Sequence, residues 1–478
     1  MAIGARSGGM SQTPPLPPMP SQDGLPVPRR YWAIVSIGLG ITLAVLDGAI
    51  ANVALPSIAE DLKASEAASI WIVNAYQIAI VVSLLPLASL GEIVGYRRVS
   101  QVGLAVFTVA SLACALSDSI VTLSLARVLQ GFGAAGIMSV NGALVRFTYP
   151  QKYLGRAVGI NAVIVSLAAA AGPTIASAIL AVGEWRWLFA LNIPLALVAA
   201  SLAGFTLPHN PLQKRRLNIV GAILSAAAFG LTITGMQALA HGEASIVGFT
   251  LTGMGLAAAV LLVRHEKPRA APLIPLDLLA RPMFALSVAT SIISFSAQMM
   301  AFVALPFFLQ GALGLSAVQT GMLMTPWPLA TMFAAPLAGW LSDRYSAGVL
   351  GAIGLSIFAC GLMALSFLHA DSSTFDIALR MALCGAGFGF FQSPNNRAML
   401  SEAPKERAGA AGGSLGTARV LGQSMGAVVV AFLLASAPMA GVRHGFQIAA
   451  VIALFGAVMS GSRVRRRNPE PEKAVEAL

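Results

Sequence analysis

The stretch "ITLAVLDGAIANVALP" (Ile41–Pro56) sets an aspartate, Asp47, inside an apolar run long enough to cross a bilayer. The surrounding chain says that lipid is the solvent. It has 478 residues, is 57% hydrophobic and only 10% charged, and has a mean hydropathy of +0.78. Soluble proteins carry about 25% charged residues. A net charge of +11 raises nucleic acid as a partner, but the basic residues lie in short loops between apolar runs and form no single basic face. Cys114, Cys360 and Cys384 sit within apolar runs at spacings that match neither a disulfide framework nor a zinc site. Residues 1–29, with "PPLPPMP" at their centre, read as a disordered cytoplasmic tail without the pattern of a cleavable signal.

Apolar runs occur near 31–55, 69–90, 99–117, 120–144, 155–182, 186–207, 219–239 and 245–263. Six more follow near 283–312, 317–341, 347–368, 375–396, 408–436 and 445–462. At this length each reads as a helix, because lipid cannot satisfy an open backbone. Fourteen crossings with both termini in the cytoplasm put 24 of the 30 Lys and Arg on the inner side, including Arg97, Arg98 and the tail from residue 463. Only Lys63, Arg186, Arg380 and Arg443 fall outside, and Arg127 and Arg419 fall within spans.

The chain also repeats itself. "VALP" occurs at Val53–Pro56 and again at Val303–Pro306. "GFGAAGIMSVN" (Gly131–Asn141) matches "GAGFGFFQSPN" (Gly385–Asn395) at an offset of 254. The expected architecture is an all-α membrane protein of two six-helix bundles, 30–207 and 282–462. A linker over 208–281 carries two extra helices, and a cytoplasmic tail covers 463–478. Two such bundles about a cavity suit a secondary transporter. At the offset of the "VALP" pair, Asp47 corresponds to Ala297. The sister helix does without an acid, so packing alone does not demand one.

These motifs resemble the major facilitator superfamily, and more closely its fourteen-span drug:proton antiporter branch, over nearly the whole chain after residue 29. "LDGAIANVALP" resembles that branch's first-helix motif. "RVLQGFGAAG" (Arg127–Gly136) resembles the fourth-helix motif with its buried arginine. "AAAAGPTIASAI" (Ala168–Ile179) resembles the fifth-helix antiporter motif around Gly172 and Pro173. "LGEIVGYRR" (Leu90–Arg98) resembles the loop motif after the second helix, with Glu92 in place of the usual aspartate and Ile93 in place of the usual base. "GWLSDRY" (Gly339–Tyr345), with Asp343 and Arg344, is a partial second copy. The glycines usual after Gly-Pro are replaced by Ala176 and Ser177. The resemblance implies gating roles for Glu92, Arg97, Arg98, Gly172, Pro173, Asp343 and Arg344, and multidrug efflux as the activity.

Physical chemistry assigns the buried groups. Asp47 lies about 24 Å into a span that starts inside, and Arg127 about 12 Å into one that starts outside, so they reach similar depth. Desolvation and a nearby arginine act on a carboxylate in opposite senses, which makes its proton affinity sensitive to geometry. Asp47 with Arg127 therefore reads as the proton-coupling pair; the competing reading is a link that only fixes helix packing. Substrate contacts are expected from Asn74, Gln77, Gln130, Asn141, Asn161, Gln298, Met299, Phe391, Gln392, Asn395, Asn396 and Arg419. Arg419 either binds an anionic group or holds a distant carbonyl or carboxylate.

The expected protein is a monomeric, proton-coupled exporter of lipophilic small molecules in the cell membrane. No cofactor, metal or nucleic acid is expected, and it is not an enzyme. The sequence has no GxxxxGK[ST] phosphate loop. A proton entering down 100 mV and one pH unit supplies about 3.7 kcal/mol. The rival readings are a carrier dedicated to one metabolite or lipid, and a non-transporting sensor.

Overall fold

The computed structural model describes residues 23–465 apart from 65, 241–244, 270–271, 312, 316, 370 and 437. The two expected tails thus lie largely outside the described residues. Every regular element described is a helix: α1 (Arg29–Asp61), α2 (Glu66–Val94), α3 (Tyr96–Ala115), α4 (Ile120–Thr148), α5 (Leu154–Val182), α6 (Arg186–Ala190), α7 (Asn192–Thr206), α8 (Ile219–Ala240) and α9 (Ser245–Glu266), then α10 (Leu276–Leu279), α11 (Pro282–Gly311), α12 (Ala317–Met324), α13 (Pro326–Ser342), α14 (Ala347–Ser366), α15 (Thr374–Glu402), α16 (Ala408–Ser436) and α17 (Pro438–Arg465).

Among the described residues, twelve helical segments are long and apolar enough to cross a membrane. The expected count of fourteen is not reached on that measure. The run 317–341 is two helices separated at Thr325. The sequence "TPWP" (Thr325–Pro328) explains the break, since Pro326 and Pro328 have no N–H to continue the hydrogen bonds of α12 and proline suits a first turn. The run 408–436 is one helix, α16, whose first half is diluted by Gly, Ser, Thr and Arg419. The other difference is at the C-terminal end. Helix α17 continues to Arg465, so Arg463, expected in a tail, is a buried residue 1% exposed that donates to Ser287 Oγ and Asn395 Oδ1 at 2.8 Å.

The packing repeats as the sequence does. In the first half, α1 packs on α5 and α7, α4 on α2 and α3, and α3 on α7. In the second, α11 packs on α16 and α17, α15 on α13 and α14, and α14 on α17. Across the halves, α5 meets α13 and α15 while α16 meets α2 and α4, which is the same contact made twice about a pseudo-dyad. Helices α8 and α9 pack mainly on each other, with α8 leaning on α2 and α16.

Local chemistry positions the elements that matter below. Ser119 and Thr122 form a reciprocal cap at the start of α4, each side chain accepting from the other's backbone N–H at 3.2 Å. Gly95 turns the chain between α2 and α3 at φ +108°, a conformation that favours glycine, and so brings Glu92 and Tyr96 side by side.

Candidate functional site

Asp47 is 2% exposed on α1, and Arg127 is fully buried on α4. Arg127 Nη1 forms an ion pair with Asp47 Oδ2. The other carboxylate oxygen, Oδ1, accepts from Asn192 Nδ2 at 2.7 Å and from Gln130 Nε2 at 2.9 Å. Gln130 lies one turn from Arg127, so one helix face presents both; its Oε1 accepts from Arg127 Nη1 at 2.6 Å, and its Nε2 reaches Ser111 Oγ at 2.9 Å. Arg127 Nε donates to the Ile72 carbonyl at 3.0 Å, and its guanidinium stacks on the Tyr76 ring at 4.1 Å. Two polar atoms in this buried cluster, Arg127 Nη2 and Asn192 Oδ1, have no hydrogen-bond partner among the described residues. The arrangement spreads a carboxylate over donors from α4 and α7, so any sliding of α1 against them alters its surroundings.

Asn192 was not singled out from sequence. Its only signal is an amide in the otherwise apolar "FALNIPLA" (Phe189–Ala196). Gln130, expected in the substrate path, belongs to the Asp47 cluster instead.

A second site lies between the halves. A cavity of about 90 Å³ is lined by α1, α4, α5, α11, α15 and α16. It gathers Asn141, Asn161, Gln392, Asn396 and Arg419 from the expected substrate contacts. Asn141 Nδ2 donates to Asn161 Oδ1 at 3.3 Å. Arg419 and its repeat counterpart Val165 both line this space. Other expected contacts are elsewhere. Asn395 is held by Ser287 O, Ser291 Oγ and Arg463. Phe391 is buried in an aromatic cluster beside Phe388. Asn74, Gln77, Gln298 and Met299 do not line the cavity.

The third site is a pair of carboxylates laid on helix N-termini across the halves. Glu92 Oε1, at the end of α2, accepts from Ala410 N at the start of α16 at 2.9 Å. Asp343 Oδ1, at the end of α13, accepts from Gly155 N at the start of α5 at 3.0 Å. Each negative group meets unsatisfied N–H donors and the positive end of a helix. Burial pushes the Asp343 pKa up from its ordinary 3.8, outweighing Arg397, the Gly155 N–H and Arg156, which pull it down.

Glu92 Oε2 also accepts from Arg215 Nη2 at 2.7 Å and Arg407 Nη1 at 3.1 Å. Arg407 forks onto both Asp277 oxygens at 2.9 and 2.8 Å. Burial works to lower the Arg407 pKa; Asp277 and Glu92 outweigh it and hold it above the usual value. Arg97 and Arg98, expected with Glu92, are not there. Arg97 reaches Gly204 O and His209, and Arg98 reaches Val94 O. Arg344 stacks on Trp340 instead of joining Asp343. A Cβ on Gly172 would collide with Ala49, so α1 and α5 touch there; Pro173 follows in the same helix, its side chain outside the described set.

The sequence profile of the Major Facilitator Superfamily matches residues 37–427. The chain belongs to this superfamily. It is a multi-pass membrane transporter of small molecules, not an enzyme. It is 52% identical over 450 residues to the uncharacterized transporter YebQ of Escherichia coli (strain K12), covering 94% of this chain and 98% of that one. It is 32% identical to the tetracenomycin C resistance and export protein of Streptomyces glaucescens, covering 85% of this chain and 76% of that one. The solved proton:xylose symporter XylE superposes with a TM-score of 0.64 at 15% identity, over 91% of this chain and 96% of that one, a likeness of fold.

Proposed function

We propose that the chain is a proton-coupled antiporter that exports lipophilic compounds of varied structure. The observation that carries this reading is the Asp47 carboxylate, buried in the first half and bonded to donors from α4 and α7. A group so placed changes its hold on a proton when the helices around it move. The halves 30–207 and 282–462 rock about the central cavity, with Glu92 and Asp343 closing the basic face and Gly172 and Pro173 giving α5 room to shift against α1. Fourteen crossings with both termini in the cytoplasm fit this scheme: α12 and α13 together, and α16, occupy the places that α2 and α5 hold in the first half. The basic face is then cytoplasmic, and the arrangement described is closed on that side. Similarity to a tetracenomycin C export protein supports the export direction.

The test is flux in proteoliposomes holding the full chain. An imposed pH gradient should drive several unrelated dyes, and Asp47→Asn should abolish that flux while the protein still inserts. Unchanged flux in Asp47→Asn would remove this residue from the mechanism. The small central cavity favours a second reading, a carrier dedicated to one metabolite, which a dye panel separates because such a carrier moves none of the dyes.

A further inference from the structure

Arg419 is a cation within a membrane helix to which the described residues offer no acceptor. It lies eleven residues into α16, on the wall of the central cavity. Arg419 is half-buried, and the buried arginines of the described residues all have acceptors: Arg127 has Asp47, Arg146 has the Ala403 carbonyl, Arg407 has Glu92 and Asp277, and Arg463 has Ser287 and Asn395. Among the described residues none accepts a hydrogen bond or forms an ion pair with Arg419. The cavity lining contains no aspartate or glutamate. Asp47, the buried acid of the first half, is committed to Arg127, Gln130 and Asn192. The cavity thus carries one positive charge, four amides and otherwise apolar walls.

We propose that Arg419 anchors the carboxylate of the cargo, and that the cavity selects organic carboxylates with an apolar body. The proposal deepens the transport reading and rests on it. A guanidinium fork matches a carboxylate bidentately. Asn161 and Asn396 supply N–H donors nearby, and Phe295 and Met138 offer surface to the rest of the molecule. A cationic compound meets a like charge in a low-dielectric site and is rejected. Exchange of one inward proton for one outward monoanion moves two charges. Such flux responds to the membrane potential, by about three orders of magnitude in the attainable gradient per 100 mV.

Binding decides the matter separately from transport. The full chain in nanodiscs is titrated with naphthalene, quinoline and indole, each bearing a carboxylate, a carboxamide or an aminomethyl group. Thermal stabilisation gives the affinities. The carboxylates are expected to bind at least tenfold more tightly than the aminomethyl partners. Arg419→Gln should erase that preference, Arg419→Lys should retain part of it, and Asn161→Asp should weaken carboxylate binding with Arg419 in place. Circular dichroism and a monodisperse elution profile establish that each variant is folded. Preference for the aminomethyl compounds, carboxylate affinity unchanged in Arg419→Gln, or no carboxylate bound at millimolar concentration overturns the assignment. Carboxylate binding that persists when no pH gradient drives flux leaves the cargo assignment standing and sinks proton coupling alone.

Discussion

Removing the charge at position 47 leaves Arg127 buried beside neutral acceptors, and the choice of replacement decides what is measured. Asn keeps an oxygen for the Arg127 contact. Asp47→Asn should therefore insert and fold, yet lose proton-driven flux by at least about a hundredfold in a proteoliposome assay. Asp47→Leu removes the counter-charge and leaves the buried guanidinium only the neutral Ile72 carbonyl and Gln130 Oε1, at a cost of about 3–5 kcal/mol. Its thermal midpoint should fall, and the double variant Asp47→Leu with Arg127→Met should recover much of the loss. Asn192→Leu deletes one donor to the carboxylate, worth about 1.5 kcal/mol or more for a bond to a charged group. Flux at saturating dye should drop about tenfold with insertion unchanged. Asp47 and Arg127 were legible in the sequence because a charge in an apolar run has no cheap explanation. Asn192 was not, because an amide in a membrane helix is ordinary and its partner is 145 positions away.

At the scale of elements, two helix ends each hold a carboxylate from the other half, and the two differ in wiring. Glu92 is bound by two arginines and a backbone N–H; Asp343 has one N–H and longer ion pairs at 3.6 and 3.3 Å. Burial raises the pKa of Asp343 relative to a hydrated aspartate. The state with the higher pKa gains as pH falls, so the packed arrangement of α5 on α13 should become more populated as the basic face is acidified. The gain runs through the raised value and is complete below the ordinary 3.8. Spin labels on α5 and α13 should report a growing short-distance population from pH 7 downwards, and Asp343→Asn should flatten that response. Most helices were readable from hydropathy alone. The break at Thr325 was written in two prolines that a hydropathy count passes over. Arg215 and Arg407 were hidden for another reason: loop arginines read as topology signals, and their contacts with Glu92 span 123 and 315 positions.

For the whole molecule, the two halves meet where side chains are smallest. A Cβ on Gly155 would collide with the Gly339 carbonyl and the Ser342 hydroxyl. Gly155→Val should wedge the basic face apart at about 1–3 kcal/mol, a shift of roughly five- to a hundredfold towards the arrangement open on that side. Inter-half spin-label distances check it, and an unchanged distribution would show that the contact between α5 and α13 does not set the equilibrium. The duplication could be seen in repeated motifs, but the role of the chain between the halves could not, because its anchoring residues come from two distant flanks. Arg215 precedes α8 and Asp277 follows α9, and both are bonded into the cluster that joins Glu92 to Arg407. The hairpin is therefore tied down on both sides of its root, like a leash with two knots. When Glu92 and Arg407 separate, the slack between those knots limits how wide that mouth can gape. A splice that removes 219–266 but keeps both flanks alters only the leash, whereas one that takes the flanks as well unfastens the mouth.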